Sequence, residues 1–154
     1  MAKERVNLTE LVAASASALQ HQVDASATRL ELPKEPTVIV SDRLALEQVF
    51  GNLLDNALKY LEPGRQGHIR VKIRGDRHRI WVTVADNGRG VAKEDLARIF
   101  EPFRRAGSLD KPGEGIGLTQ VQALVRRLGG RISVTSRLHE GTSFEVMLPR
   151  VALE

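Results

Sequence analysis

Apolar residues recur at helical spacing through three stretches of the chain and alternate with polar ones through several others, and these two rhythms divide most of it into elements. From Asn7 to about Gln22, the residues Leu8, Leu11, Val12, Ala16 and Leu19 keep a helical period, with Asn7 or Thr9 placed to cap an amphipathic helix. Thr28 to Leu32 and Thr37 to Val40 are short β-type runs separated by Pro33 and Pro36, which predicts a pair of strands with a kinked connection. Ser41 and Asp42 then offer a cap to the most strongly periodic stretch, which ends near Leu61 where Glu62-Pro63-Gly64 stops it. His68 to Arg74 and Arg79 to Val84 alternate around Gly75-Asp76-Arg77-His78 and predict an antiparallel hairpin.

Asp86-Asn87-Gly88-Arg89-Gly90 reads as a turn, and Lys93 to Ile99 as a short helix ended by Glu101-Pro102-Phe103. Arg104 to Gly117 holds four glycines, Pro112 and little that is apolar, and is expected to be a mobile loop. Leu118, Val121, Leu124, Val125 and Leu128 then predict a helix stopped by Gly129-Gly130, with strands following at Ile132 to Ser136 and Ser143 to Leu148. The order of elements predicts an α+β fold, a two-layer α/β sandwich in which about three helices cover one face of a mixed, mostly antiparallel sheet.

A length of 154 residues suits one ordinary domain spanning 1–154, with core enough to need no staples. Hydrophobic residues at 42% and charged residues at 27% argue against disorder, and no apolar run approaches the roughly 18 residues of a membrane-spanning helix. The absence of cysteine removes disulfide frameworks and thiolate metal sites, so a reducing, cytoplasmic setting is the default. A net charge of +4 raises nucleic acid as a partner, but the basic residues come as scattered pairs such as Arg104-Arg105 and Arg126-Arg127, without aromatic interleaving. No nucleic acid partner is expected, and no direct membrane contact.

Three constellations carry chemistry. On the helix after Asp42, the positions Leu46, Val49, Phe50, Leu53, Ala57 and Leu61 form the core stripe, which sends Gln48, Asn52, Asn56 and Lys59 to the other side, with Tyr60 at the edge. Two mid-helix asparagines cost stability. Their carboxamide oxygens can complete the shell of a Mg²⁺ ion that also binds waters and substrate phosphates, although a solvated polar face would read the same way. In Val84-Ala85-Asp86-Asn87-Gly88-Arg89-Gly90-Val91 a strand delivers a carboxylate, an acceptor only, which favours the exocyclic amino group of adenine over the carbonyl of guanine. Gly88 and Gly90 permit positive φ and close approach of backbone to a flat ring; an ordinary turn is the alternative. Gly113-Glu114-Gly115-Ile116-Gly117-Leu118 places three alternate glycines before a helix whose N-terminus favours phosphate, or else makes a plain hinge. It is neither a Walker nor a Rossmann pattern.

Set in this order, the motifs resemble the Bergerat-type ATP-binding fold shared by histidine kinases, gyrase-type topoisomerases, Hsp90 chaperones and MutL proteins, over nearly the whole chain. Asn52 to Tyr60 resembles the histidine-kinase N box, Asp86 to Gly90 the first glycine box, Phe100-Glu101-Pro102-Phe103 the F box, Gly113 to Leu118 the second glycine box, and Gly141-Thr142-Ser143-Phe144 the terminal strand motif. The resemblance implies ATP and Mg²⁺ as cofactors. By its pattern Asn56 coordinates the metal, Asn52 orders metal waters or phosphates, Lys59 neutralises phosphate charge and Tyr60 lies along the nucleotide. Asp86 binds the adenine amino group with Thr142 assisting through water, while Gly88, Gly90 and Val91 shape the pocket. Gly115, Ile116, Gly117 and Leu118 border the phosphates under a lid from about Arg104 to Glu114, with Phe103 beside it.

The gyrase and chaperone branches carry a water-activating glutamate where this chain has Asn52, and an amide is a poor general base, so phosphoryl transfer is expected over hydrolysis. The implied activity is that of an ATP-dependent protein-histidine kinase in two-component signalling, with Asn52 and Lys59 as the residues acting on the phosphates. Its partners are the dimerisation and histidine phosphotransfer domain of the same kinase and a response regulator. That phosphoacceptor domain is absent: none of the four histidines, His21, His68, His78 and His139, has the expected helical setting with an acidic neighbour. The chain therefore reads as an excised catalytic domain, not self-sufficient for autophosphorylation, whose parent is either soluble or membrane-anchored. The alternative within the same fold is a stand-alone regulator resembling anti-sigma-factor serine kinases.

Overall fold

A computed structural model describes residues 2–100 and 114–151, with the side chains of 114–117 left out of account. A five-stranded sheet, in the order β2-β4-β5-β7-β6, carries the fold. Its centre is β4 (His68–Gly75) and β5 (Arg79–Asp86), joined as the expected antiparallel hairpin. The Asp76 carboxylate accepts from the His78 and Arg79 amides, both at 2.9 Å, which closes the turn and lowers the pKa of that carboxyl. β7 (Gly141–Pro149) pairs antiparallel with β5 and with β6 (Arg131–Arg137), and β2 (Arg29–Glu31) adds a parallel edge on β4.

The inward positions Ile69, Val71, Ile80, Val82, Val84, Phe144, Val146 and Leu148 are buried against three helices. These are α1 (Leu8–Ser17), α3 (Arg43–Lys59) and α4 (Glu114–Arg127), which supply among others Leu8 and Val12, Phe50 and Leu53, and Val121 and Leu128. Each such buried side chain contributes roughly 1.5–3 kcal/mol relative to exposure, so this single contact layer dominates the stability. Asp42 caps α3 by accepting from the Ala45 amide at 3.0 Å, and Asn7 caps α1 through the Glu10 amide at 3.2 Å. Past α4, Gly129 takes φ +84° while the Gly130 amide reaches back to the Val125 carbonyl at 2.9 Å, a Schellman-type stop.

Four expectations need correction. The runs at 28–32 and 37–40 do not pair with each other. The first becomes β2 beside β4, and the second, β3 (Val38–Ser41), joins β1 (Glu4–Asn7) in a separate two-stranded sheet. The predicted first helix breaks at Ala18-Leu19 into α1 and α2 (Gln20–Ala25). Leu61 lies beyond the end of α3, where it packs against Gly67. Gly115, Ile116 and Gly117, expected in a loop, form the first turn of α4, whereas the remainder of that loop, Phe103 and Gly113 lie outside the described residues. The short helix after the turn is a 3-10 helix, Lys93–Arg98.

Candidate functional site

The C-terminal end of α3, the segment after β5 and the turn between β6 and β7 meet at one end of the sheet. Asp86 is the last residue of β5 and sits opposite Thr142 on β7. Its Oδ1 accepts from the Gly88 amide at 2.8 Å and the Thr142 amide at 3.3 Å, while Oδ2 has no donor among the described residues. Burial pushes this carboxyl up to about 6, against the lowering effect of those two amides and of the Arg65 charge. A carboxylate held at that cost, with one oxygen unpartnered, is a group arranged for a ligand donor.

Of the two glycines expected to allow positive φ, Gly90 adopts it and Gly88 does not. Gly88 has an ordinary φ, and a Cβ on it would collide with the Tyr60 carbonyl oxygen and crowd Asp86. Gly90, at φ +70°, lies against the Arg137 carbonyl, and Gly141, at φ +140°, lies against the Asp86 carbonyl, so either Cβ would strike backbone. The pocket wall is thus backbone stacked on backbone from three segments. Hydrogen bonds join them: the Arg89 amide donates to the Tyr60 carbonyl at 2.9 Å, and the His139 amide to the Arg89 carbonyl at 2.6 Å. The Val91 amide donates to Ser136 Oγ at 2.7 Å, and Ser136 Oγ lies 2.8 Å from Thr142 Oγ1.

Along α3 the picture changes. Asn52 and Asn56 are half-buried beside the core stripe, and neither carboxamide has a hydrogen-bond partner among the described residues. Lys59, on the last turn, is ion-paired with Asp55 at 2.9 Å, and the Arg89 guanidinium stands 4.3 Å over the Tyr60 ring. Leu118 and Val91 pack against the core. The 3-10 segment is tied to α4 by Thr119 Oγ1 donating to the Phe100 carbonyl at 2.7 Å, and the Phe100 ring meets Phe144 edge-on, centroids 6.3 Å apart.

The fold therefore gathers Tyr60, Asp86, Gly88, Gly90, Val91 and Thr142 at one end, with Asn56 and Lys59 on the helix turn that leads into it. Among the described residues, no cluster of three or more His, Cys, Asp or Glu could hold a metal by itself. Any ion would rest on the carboxamides and on ligand phosphates. Sequence reasoning missed Arg65, Ser136 and Asp55, whose parts are visible only once distant segments are brought together.

Residues 41–152 match the family described as histidine kinase-, DNA gyrase B- and HSP90-like ATPases. The alginate biosynthesis sensor protein KinB of Pseudomonas aeruginosa is 40% identical over 121 residues, which are 79% of this chain and 20% of that protein. The histidine protein kinase DivJ of Caulobacter vibrioides is 36% identical over 144 residues, 91% of this chain and 24% of its own length. The chain spans only about a fifth to a quarter of these two curated relatives. Among solved structures, the mycobacterial sensor histidine kinase MprB superposes with a TM-score of 0.81 at 27% identity, covering 97% of this chain and 100% of that one. The order of motifs, the sheet and this match agree, and the chain belongs to the family of histidine kinase-, DNA gyrase B- and HSP90-like ATPases, as an ATP-binding domain of the sensor histidine kinase kind.

Proposed function

We propose that the chain acts as one catalytic domain that binds Mg-ATP and passes the γ-phosphoryl group to a histidine on a separate dimerisation domain, from which a response regulator is served. The observation that carries this reading is Asp86, a half-buried carboxylate with Oδ1 committed to backbone and Oδ2 without a donor among the described residues. The adenine amino group satisfies that oxygen, whereas guanine would set a carbonyl oxygen against it. Thr142, linked to Asp86 through its amide and within hydrogen-bond distance of Ser136 through its hydroxyl, would assist the base through a bridging water.

Asn56 would hold the metal and Asn52 would order its waters or the phosphates; neither carboxamide has a hydrogen-bond partner among the described residues, which fits that use. Lys59 would exchange Asp55 for a phosphate oxygen. The first turn of α4, with Gly115 and Gly117, would present backbone amides to the polyphosphate. Bound Mg-ATP supplies the transferable phosphoryl group and a cation that offsets its charge. Asn52 cannot take a proton from water, so these residues position the phosphate for an incoming imidazole and do little to promote hydrolysis.

No helix among the described residues is long and apolar enough to cross a membrane, and we place the domain on the cytoplasmic side of its parent protein. Calorimetric titration with ATP and GTP, each with and without Mg²⁺, tests the reading. Binding of ATP with little of GTP is expected, followed by acid-labile labelling of a separately supplied dimerisation domain from γ-labelled ATP. Folded protein that binds no ATP would overturn it.

A further inference from the structure

We propose that Arg65 is a positioning residue of the adenine pocket: from the connection between α3 and β4, its guanidinium ties the segment after Asp86 to the β6–β7 turn and holds the pocket wall in shape. Arg65 Nε donates to the Asn87 carbonyl at 2.9 Å, and Nη2 donates to the Gly88 carbonyl at 2.9 Å and the His139 carbonyl at 2.7 Å. The Asn87 and Gly88 carbonyls lie beyond the Asp86–Thr142 rung that ends the β5–β7 ladder, and the His139 carbonyl beyond the Arg137–Gly141 rung that ends the β6–β7 ladder, so none has a ladder partner. One planar fork satisfies all three, which an ammonium group on a flexible stem does not reproduce.

The turn that Arg65 holds needs holding. His139 takes φ +65°, uncommon for a residue with a side chain, and Gly141 takes φ +140°, which glycine alone adopts readily. Glu62, three residues before Arg65, adds a second tie to the same turn through His139 Nδ1 at 2.8 Å. Arg65 also favours the charged form of the carboxylate whose oxygen would receive the base. The other charged groups near this end are Glu62, Arg89, Arg137, His139 and Glu140, and Arg65 is the one whose charge lowers the Asp86 pKa. Arg65 acts through the loop and through Asp86 and does not itself receive the base.

The inference rests on reading the Asp86 pocket as an adenine site, and the test separates the two. Wild type, Arg65→Met, Arg65→Lys and Asp86→Asn are titrated with ATP from pH 5 to 8, and thermal melting is followed alongside. Arg65→Met is expected to weaken ATP binding roughly tenfold. It should also move the pH midpoint of binding above the wild-type value, a shift that loss of packing alone would not produce. Arg65→Lys should keep the midpoint near wild type while recovering only part of the affinity. Wild-type affinity and midpoint in Arg65→Met, with binding lost in Asp86→Asn, would overturn the role of Arg65 and leave the adenine site standing. No ATP binding by the wild type would overturn the adenine site itself. Should Arg65→Met fail to fold, Arg65→Lys decides: full affinity overturns the proposal and partial loss supports it.

Discussion

At the Asp86 end of the site the holding is done by backbone: Gly88, Gly90 and Gly141 let three chain segments touch, and Arg65 fastens their free carbonyls. Along α3 the reverse holds, since Asn52 and Asn56 project side chains without partners among the described residues from a helix that packs into the core through its other face. Among the described residues the first region is held in shape without a ligand, and on the proposed reading it would reject a wrong base by leaving a half-buried polar group unsatisfied. On the function proposed above, the second would be assembled by its ligand, because a metal and a polyphosphate bring their own charge and geometry. If the proposed transfer is its activity, a site that releases product after each turnover would gain from this division, with recognition kept rigid and the charged end adaptable.

The comparison is broken most severely at Gly90. Alanine there places a Cβ against the Arg137 carbonyl at φ +70°, and the expected cost is on the order of 3 kcal/mol, or about 10 °C in Tm. Thermal melting checks this, and an unchanged Tm would mean that the wall is not the tight backbone stack described above.

Asp86→Asn comes next and should move two quantities in opposite directions. ATP affinity is expected to fall by about 10- to 100-fold as a charged acceptor is lost. The native carboxyl titrates near 6, above its usual value of 3.8, so between these values the folded protein keeps a proton that the unfolded chain has released. The stability contributed by this group is therefore full in acid and is lost as pH rises through about 6. At pH 8 the asparagine variant, spared that loss, should be more stable by up to about 3 kcal/mol. In the wild type, ATP binding should weaken below about pH 6, where the acceptor becomes a protonated acid. Parallel loss of stability and binding in Asp86→Asn would show a structural residue and not one set aside for a ligand.

How far the sequence displays these two regions follows from where the information lies. The helix α3 and the β4–β5 hairpin are legible because their cores repeat locally, Leu46 to Ala57 every three or four residues and Ile69 to Val84 every two. β1 is hidden because it is an edge strand whose Glu4 and Arg5 face solvent, and the separation of β2 from β3 depends on partners distant in the chain. The α3 end of the site is likewise local, so spacing alone puts Asn52, Asn56 and Lys59 on one polar face, and the resemblance to the N box separates them from a merely solvated one. The Asp86 end is not. Arg65, between Gly64 and Gln66 in a polar connection, looks like any solvated arginine until His139, 74 positions away, arrives beside it. Gly88 looks like a turn glycine until the Tyr60 carbonyl is found against it.

Asn56→Ala sharpens the comparison from the other side. Alanine is the better helix former, by about 0.5 kcal/mol, and no partner is stranded, so the variant should be as stable as wild type or slightly more so. The Mg²⁺-dependent part of ATP binding should disappear while the Mg²⁺-independent part survives. Calorimetry with and without the ion measures both, and an unaltered Mg²⁺ response would remove Asn56 from the metal.

The smallest effect is expected at Asp55, where the two roles of Lys59 meet. Its ion pair with Lys59 is an exposed i,i+4 contact, worth about 0.3–0.5 kcal/mol, so Asp55→Asn should scarcely change the Tm. If Lys59 leaves Asp55 when phosphate binds, removing the carboxylate takes away a competitor, and ATP affinity should rise by up to about twofold, since the energy regained cannot exceed that of the pair. Adenosine, which has no phosphates, should bind both proteins equally. A rise for adenosine as well would place the effect in the pocket wall, and a fall in ATP affinity would mean that Asp55 holds Lys59 in position for the phosphate instead of competing for it.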